Sequence, residues 1–79
     1  MKILFFGITK DITGQREITD FSMSSGDTVA NLLEDLGSKY PDLNELTSIA
    51  VGVNQRYASM ETKLKNEDTV ALIPPVSGG

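Results

Sequence analysis

A chain of 79 residues with a formal net charge of −4, 39% hydrophobic and 23% charged residues has the composition of one small globular domain rather than a disordered segment. It contains no cysteine and no histidine, which excludes disulfides, thiolate nucleophiles, the commonest zinc ligands and the commonest general base. The negative charge, with Lys and Arg scattered along the chain, argues against nucleic acid and anionic membranes as partners.

The opening MKILFFGITK has Lys2 before an apolar run, as a secretory signal does. The run stops at Ile8, however, and Thr9, Lys10 and Asp11 follow without a small-residue cleavage site. It reads instead as a strand over residues 3–8, apolar on both faces, with Ile3 and Phe5 on one and Leu4, Phe6 and Ile8 on the other. Ile12-Thr13-Gly14 reads as a turn, and residues 16–21 as a half-exposed second strand. After the break at Ser24-Ser25-Gly26-Asp27, Val29, Leu32, Leu33 and Leu36 recur at i, i+3, i+4 and i+7, the apolar face of a helix. Thr28 is its expected N-cap, and Pro41 closes it after Tyr40; Gly37 is either a C-cap or a tolerated weak point. Ile49, Val51 and Val53 alternate with Ala50, Gly52 and Asn54 in a third strand, residues 57–59 are a candidate fourth, and residues 70–73 are apolar on both faces. The two most apolar strands are thus the first and the last, which predicts that both lie centrally in one sheet. The order predicts an α+β fold, a mixed sheet of four to five strands packed on one main helix, with the last strand parallel to the first. No stretch approaches the ~20 apolar residues of a membrane helix, so a cytoplasmic location is expected.

Most polar groups read as ordinary surface. The pairs Glu34-Asp35 and Glu67-Asp68 lack an apolar setting and are expected to be solvated. Asn54-Gln55 is either a hairpin turn or an amide ligand pair, and Asn66-Glu67-Asp68 a turn. Phe5, Phe6, Phe21, Tyr40 and Tyr57 read as core or sheet-face packing rather than a ligand cage.

The end of the chain, IPPVSGG, carries more. Terminal Gly-Gly arises by chance in roughly one chain in two hundred at ordinary glycine usage, but here it ends a stiff spacer leaving a predicted central strand. The terminal carboxylate is the one chemical handle that the composition leaves. Its charge repels nucleophiles and oxide leaves poorly, so a partner enzyme must first activate it with ATP as an acyl-adenylate. Glycine leaves the acyl carbon unhindered and lets the tail enter a narrow channel. Pro74 and Pro75 favour an extended exit, and the residues from Pro74 onward reach at most about 20 Å. These features divide the chain into a domain over residues 1–75 and a flexible tail over residues 76–79. A docking surface is expected to join the exposed sheet face, one of Phe5 and Phe6, and the exit at Ile73, Pro74, Pro75 and Val76, with Ser77 and Gly78 threading a partner's channel to present Gly79.

KILFF at residues 2–6, TVANLLEDLGSKYP at residues 28–41, VNQ at residues 53–55 and the closing VALIPPVSGG together resemble the small, sulfur-carrying subunits of molybdopterin synthases, within the ubiquitin-like β-grasp sulfur carriers. The resemblance spans the whole chain, and the PPV-S/T-GG ending is its most specific part. The family often has an Asp-Gly-Asp-like turn where this chain has Asn66-Glu67-Asp68. The resemblance implies a β-grasp fold and a non-catalytic subunit that binds no cofactor or metal. It further implies that an activating enzyme uses ATP to adenylate Gly79, which becomes a thiocarboxylate. The sulfur then passes, inside a heterotetramer of two large and two small subunits, to a cyclic pterin precursor to form the dithiolene. Thiamine synthesis, tRNA thiolation and protein conjugation are alternative destinations for the same activation chemistry.

Overall fold

The computed structural model describes residues 1–23, 27–46 and 48–74; Pro75, Val76, Ser77, Gly78 and Gly79, and with them the expected boundary between domain and tail, lie outside the described residues. The elements run β1 (Lys2–Phe5), α1 (Ile8–Thr13), β2 (Glu17–Ile18), α2 (Val29–Lys39), a 3₁₀ turn (Pro41–Glu45), β3 (Ala50–Val53), β4 (Arg56–Ala58) and β5 (Thr69–Ile73). The strands form one mixed sheet in the order β2-β1-β5-β3-β4. The first and last strands are therefore neighbours at its centre, parallel, with Lys2 opposite Thr69 and Phe5 opposite Leu72. The other three pairings are antiparallel.

Register sorts the strand residues into two faces. Ile3 and Val53 flank Val70, and Phe5 and Val51 flank Leu72; these side chains share the core with Val29, Leu32 and Leu36 of α2. The helix starts where its sequence predicts. Thr28 Oγ1 accepts from the Asn31 backbone N–H at 3.3 Å, and Asn31 Oδ1 accepts from the Thr28 N–H at 3.3 Å, a reciprocal cap that satisfies two amides the helix leaves over. The helix ends at Lys39 with Tyr40 as C-cap. Gly37 is thus neither cap nor flaw: a Cβ there would collide with the Asn44 side chain, whose amide donates to Gly37 O at 3.3 Å. The small residue lets the 3₁₀ turn fold back onto the last helical turn.

Three expectations are corrected. The first strand ends at Phe5, not Ile8, because Gly7 turns the chain at φ 56° and Phe6 O accepts from both the N–H (3.1 Å) and the hydroxyl (2.6 Å) of Thr9, opening α1. The helix escapes periodicity arguments because its buried face is Thr9 and Thr13 rather than Leu, with Thr13 Oγ1 donating to Thr9 O at 3.0 Å. It absorbs the expected turn at Ile12-Thr13-Gly14, of which only Gly14 remains, as a left-handed C-cap. The second strand is short, only Glu17–Ile18. Beyond it Phe21 leaves the sheet to enter the core, with Lys39 Nζ 5.1 Å from its ring centroid. No helix among the described residues is long and apolar enough to cross a membrane.

Candidate functional site

The sheet face opposite α2 carries the other parity of each strand. Across its centre the register lines up Leu4, Ala71, Gly52 and Tyr57, one from each of β1, β5, β3 and β4. At about 4.8 Å per strand this row spans roughly 14 Å. Two small residues between two large ones make a trough, and a groove of about 540 Å³ lies there, lined also by Asn54, Gln55, Arg56, Thr69 and Ile73. Tyr57 stands 81% exposed at one side. Phe6, of the same parity as Leu4 and 48% exposed, lies just past the end of β1, whereas Phe5 is 3% exposed in the core. Of the two rings proposed for docking, Phe6 is the one a partner can reach. Phe5 packs in the core and Tyr57 on the open sheet face, the two placements expected of these rings, and Phe6 is exposed just past the end of β1.

Gly52 forms the trough floor. A Cβ there would meet Arg56 O at 3.7 Å and Ala71 Cβ at 3.9 Å, ordinary contacts. Gly52→Ala is accordingly expected to raise stability by about 0.5–1 kcal/mol, chiefly by restricting the unfolded chain, as a shift in denaturant midpoint would report.

The end of the groove near the β3–β4 turn is held by a polar cluster. Asn54 and Gln55 occupy the two turn positions at φ 52° and 72°, the left-handed region that a two-residue hairpin demands. Asn54 Nδ2 donates to Asp68 Oδ1 at 2.8 Å, Asn54 Oδ1 accepts from Thr69 N at 3.0 Å, and Asp68 Oδ2 accepts from Lys65 N at 2.8 Å. Asp68 is therefore buried and bonded, which corrects the expectation that it is solvated, whereas Glu67 is exposed as expected. The amide of Asn54, and then the Lys65 N–H, hold its carboxyl below the ordinary value of 3.8. A carboxyl whose pKa falls on folding stabilises fully above the unfolded value and loses that contribution as pH drops through the folded one. Acid unfolding of wild type should thus steepen below about pH 3.8. Asp68→Asn should lose that part of the pH dependence, as denaturation at graded pH would show.

The exit from the sheet adjoins the groove. Ile73, the last residue of β5, lines it, and the half-buried Pro74 follows. Ile8, 47% exposed, lies one turn of chain beyond Phe6. Of the sequence-predicted docking residues the structure describes Phe5, Phe6, Ile73 and Pro74; Pro75, Val76, Ser77, Gly78 and Gly79 lie outside the described residues. Leu4, Ala71 and Tyr57 were not singled out from the sequence as groove residues. The signal was there: a two-residue turn at Asn54-Gln55 fixes the β3–β4 register and puts Tyr57 opposite Gly52.

A mixed sheet with adjacent parallel first and last strands, one main helix across one face and an apolar trough on the other defines the ubiquitin-like β-grasp class. Comparison with known proteins narrows this. The ThiS family matches residues 3–79, and the chain belongs to that family. A molybdopterin synthase sulfur carrier subunit from Arabidopsis thaliana is 34% identical over 80 residues, covering 100% of this chain and 82% of the relative. Small archaeal modifier protein 1 from Methanosarcina acetivorans superposes with a TM-score of 0.81 at 28% identity, over 99% of this chain and 94% of that one. A chain in the complex of subunits 1 and 2 of the molybdopterin-converting factor from Helicobacter pylori superposes with a TM-score of 0.64 at 28% identity, over 99% and 96%.

Proposed function

We propose that the chain is a sulfur carrier that delivers sulfur from Gly79 to a pterin precursor. The observation that carries the reading is continuity: β5 ends at the rim of the open-face groove, so the segment bearing the Gly-Gly end starts where a partner would dock. In this reading the Gly79 carboxylate attacks ATP on an activating enzyme, releasing pyrophosphate and leaving an acyl-adenylate. A sulfide-level donor then displaces AMP, forming the thiocarboxylate. The groove, with Phe6, Ile73, Pro74, Pro75 and Val76, docks on a large subunit while Ser77 and Gly78 thread its channel. The thiocarboxylate sulfur attacks a carbon of the cyclic pterin precursor, forming a C–S bond as a C–O bond there breaks and the oxygen departs, and hydrolysis of the resulting acyl–sulfur bond leaves the sulfur on the pterin and returns Gly79 as a carboxylate.

A dithiolene contains two sulfurs and each carrier brings one, so two charged chains serve each product, in keeping with two large and two small subunits. The chain itself is no enzyme and binds no cofactor or metal. The acid-base and anion-binding groups that act on the precursor belong to the large subunit, since this chain has no histidine or cysteine and its Lys and Arg are scattered. The setting is the cytoplasm, which supplies ATP.

A second reading, protein conjugation, draws on the likeness to the archaeal modifier protein. The two share activation and differ in acceptor. Charged carrier incubated with large subunit and the cyclic pterin precursor should yield a dithiolene and uncharged Gly79. An amide between Gly79 and a lysine, with no dithiolene, would instead favour conjugation.

A further inference from the structure

Between β1 and α1, Gly7 sits at φ 56° and ψ −133°, a backbone conformation essentially closed to residues carrying a Cβ. The corner is pinned on both sides. Phe6 N donates to Leu72 O of β5 at 3.3 Å, Thr9 N donates to Phe6 O at 3.1 Å, and Lys10 N donates to Gly7 O at 3.0 Å. A Cβ on Gly7 would lie 2.9 Å from Cγ and 3.6 Å from Cδ of Pro74, and real Cβ atoms do not approach within 3.0 Å. The Pro74 ring therefore rests on a residue that must lack a side chain. Core packing does not call for this contact, because Gly7 is exposed and Pro74 only half-buried.

From this geometry we infer that Gly7 is a positioning residue for the tail, seating Pro74 and so setting the direction in which residues 75–79 leave the sheet. The inference rests on the reading of Gly79 as the charged group. Pro74 is the first residue after β5, and the five residues beyond it reach up to about 18 Å once a partner's channel holds them extended. A rotation of about 10° at its root displaces the far end by about 3 Å. Misplacement of about 1 Å at a reacting centre can cost about a hundredfold in rate. A seat at the root lets docking through the groove and delivery of the Gly79 carbonyl succeed together.

The test is a cycle of Gly7→Ala, Pro74→Ala and the double variant. Pro74→Ala deletes Cγ and Cδ, the two atoms the added Cβ would meet. Three quantities are read: affinity for the large subunit, the rate of sulfur transfer from Gly79 at saturating large subunit, and the backbone amide shifts of residues 76–79 in the isolated chain. Gly7→Ala should slow saturated transfer at least about tenfold while changing affinity far less, and should move the tail shifts. On the Pro74→Ala background, where the positive-φ strain of the alanine persists but the clash with the ring is gone, it should cost distinctly less in transfer and move the tail shifts less, which is the non-additivity of two groups in contact. Pro74→Ala alone, which leaves the Gly7 backbone angles in place, should also slow transfer; unchanged transfer there overturns the inference. Equal loss from Gly7→Ala on both backgrounds, whether by strain or by unfolding, overturns it too. Wild-type protein that accepts no sulfur contradicts the carrier reading instead, and the cycle in tail shifts then decides the seat by itself: coupling supports it and additivity overturns it.

Discussion

Gly78→Val is expected to reduce ATP-dependent charging of Gly79 at least about a hundredfold, and one residue added after Gly79 should do the same, with thermal stability unchanged in both. The causes differ. A branched side chain at residue 78 fills a channel that a glycine passes, and restricts the backbone angles available there. An added residue leaves the channel free but moves the reactive carbon by about 3.5 Å, beyond the reach of an enzyme built around a fixed acyl position. Ordering the tail costs roughly 1–2 kcal/mol per residue, so the partner must hold it by backbone contacts along its length, and a misfit at any step is felt in full. Charging followed by intact mass, beside a melting curve, checks both variants. Normal charging of either would mean that Gly-Gly is not the handle.

Tyr57→Asp is expected to weaken binding to the large subunit about thirtyfold or more. Tyr57 is the most exposed large hydrophobic residue among the described residues and stands over a trough floored by Ala71 and Gly52. Aromatic anchors at the centre of an interface typically contribute 2 kcal/mol or more, and each 1.4 kcal/mol is about tenfold in affinity. The substitution also places a charge beside the apolar row of Leu4, Ala71 and Gly52, which costs more under a docked partner unless it is paired. Since Tyr57 makes no core contact that folding depends on, the melting temperature should hold. Val76→Asp should weaken the same complex through the tail. Calorimetric titration of both variants separates the two ends of the surface: an unaffected Tyr57→Asp would exclude the groove, and an unaffected Val76→Asp would show that the tail is merely carried along.

The central strands were legible because residues 3–5 and 70–73 are apolar on both faces, which a strand needs only with neighbours on each side. The main helix was legible in its period and in Thr28 as its cap. What escaped the sequence is instructive. Gly7 interrupts an apolar run that reads unbroken through Ile8, and the helix that follows buries threonines whose hydroxyls donate to backbone carbonyls, Thr9 to Phe6 O just before the helix and Thr13 to Thr9 O within it. Neither feature leaves a hydrophobic period. Asp68 was misread for a related reason: beside the local Lys65 N–H, its partner Asn54 reaches it only when the β3–β4 turn meets the start of β5. Of the candidate site, the tail was the part that sequence chemistry reached, since it depends on residue types in a row. The groove depends on which residues register places side by side, and so emerged only with the sheet.

The most direct test is the mass of the intact chain and of its terminal peptide after incubation with ATP, a sulfur donor and the activating enzyme. The predicted result is one oxygen replaced by sulfur, located at Gly79, appearing only when ATP is present. Sulfur on an internal residue, or a terminal peptide unchanged while the enzyme consumes ATP on a control carrier, would contradict it.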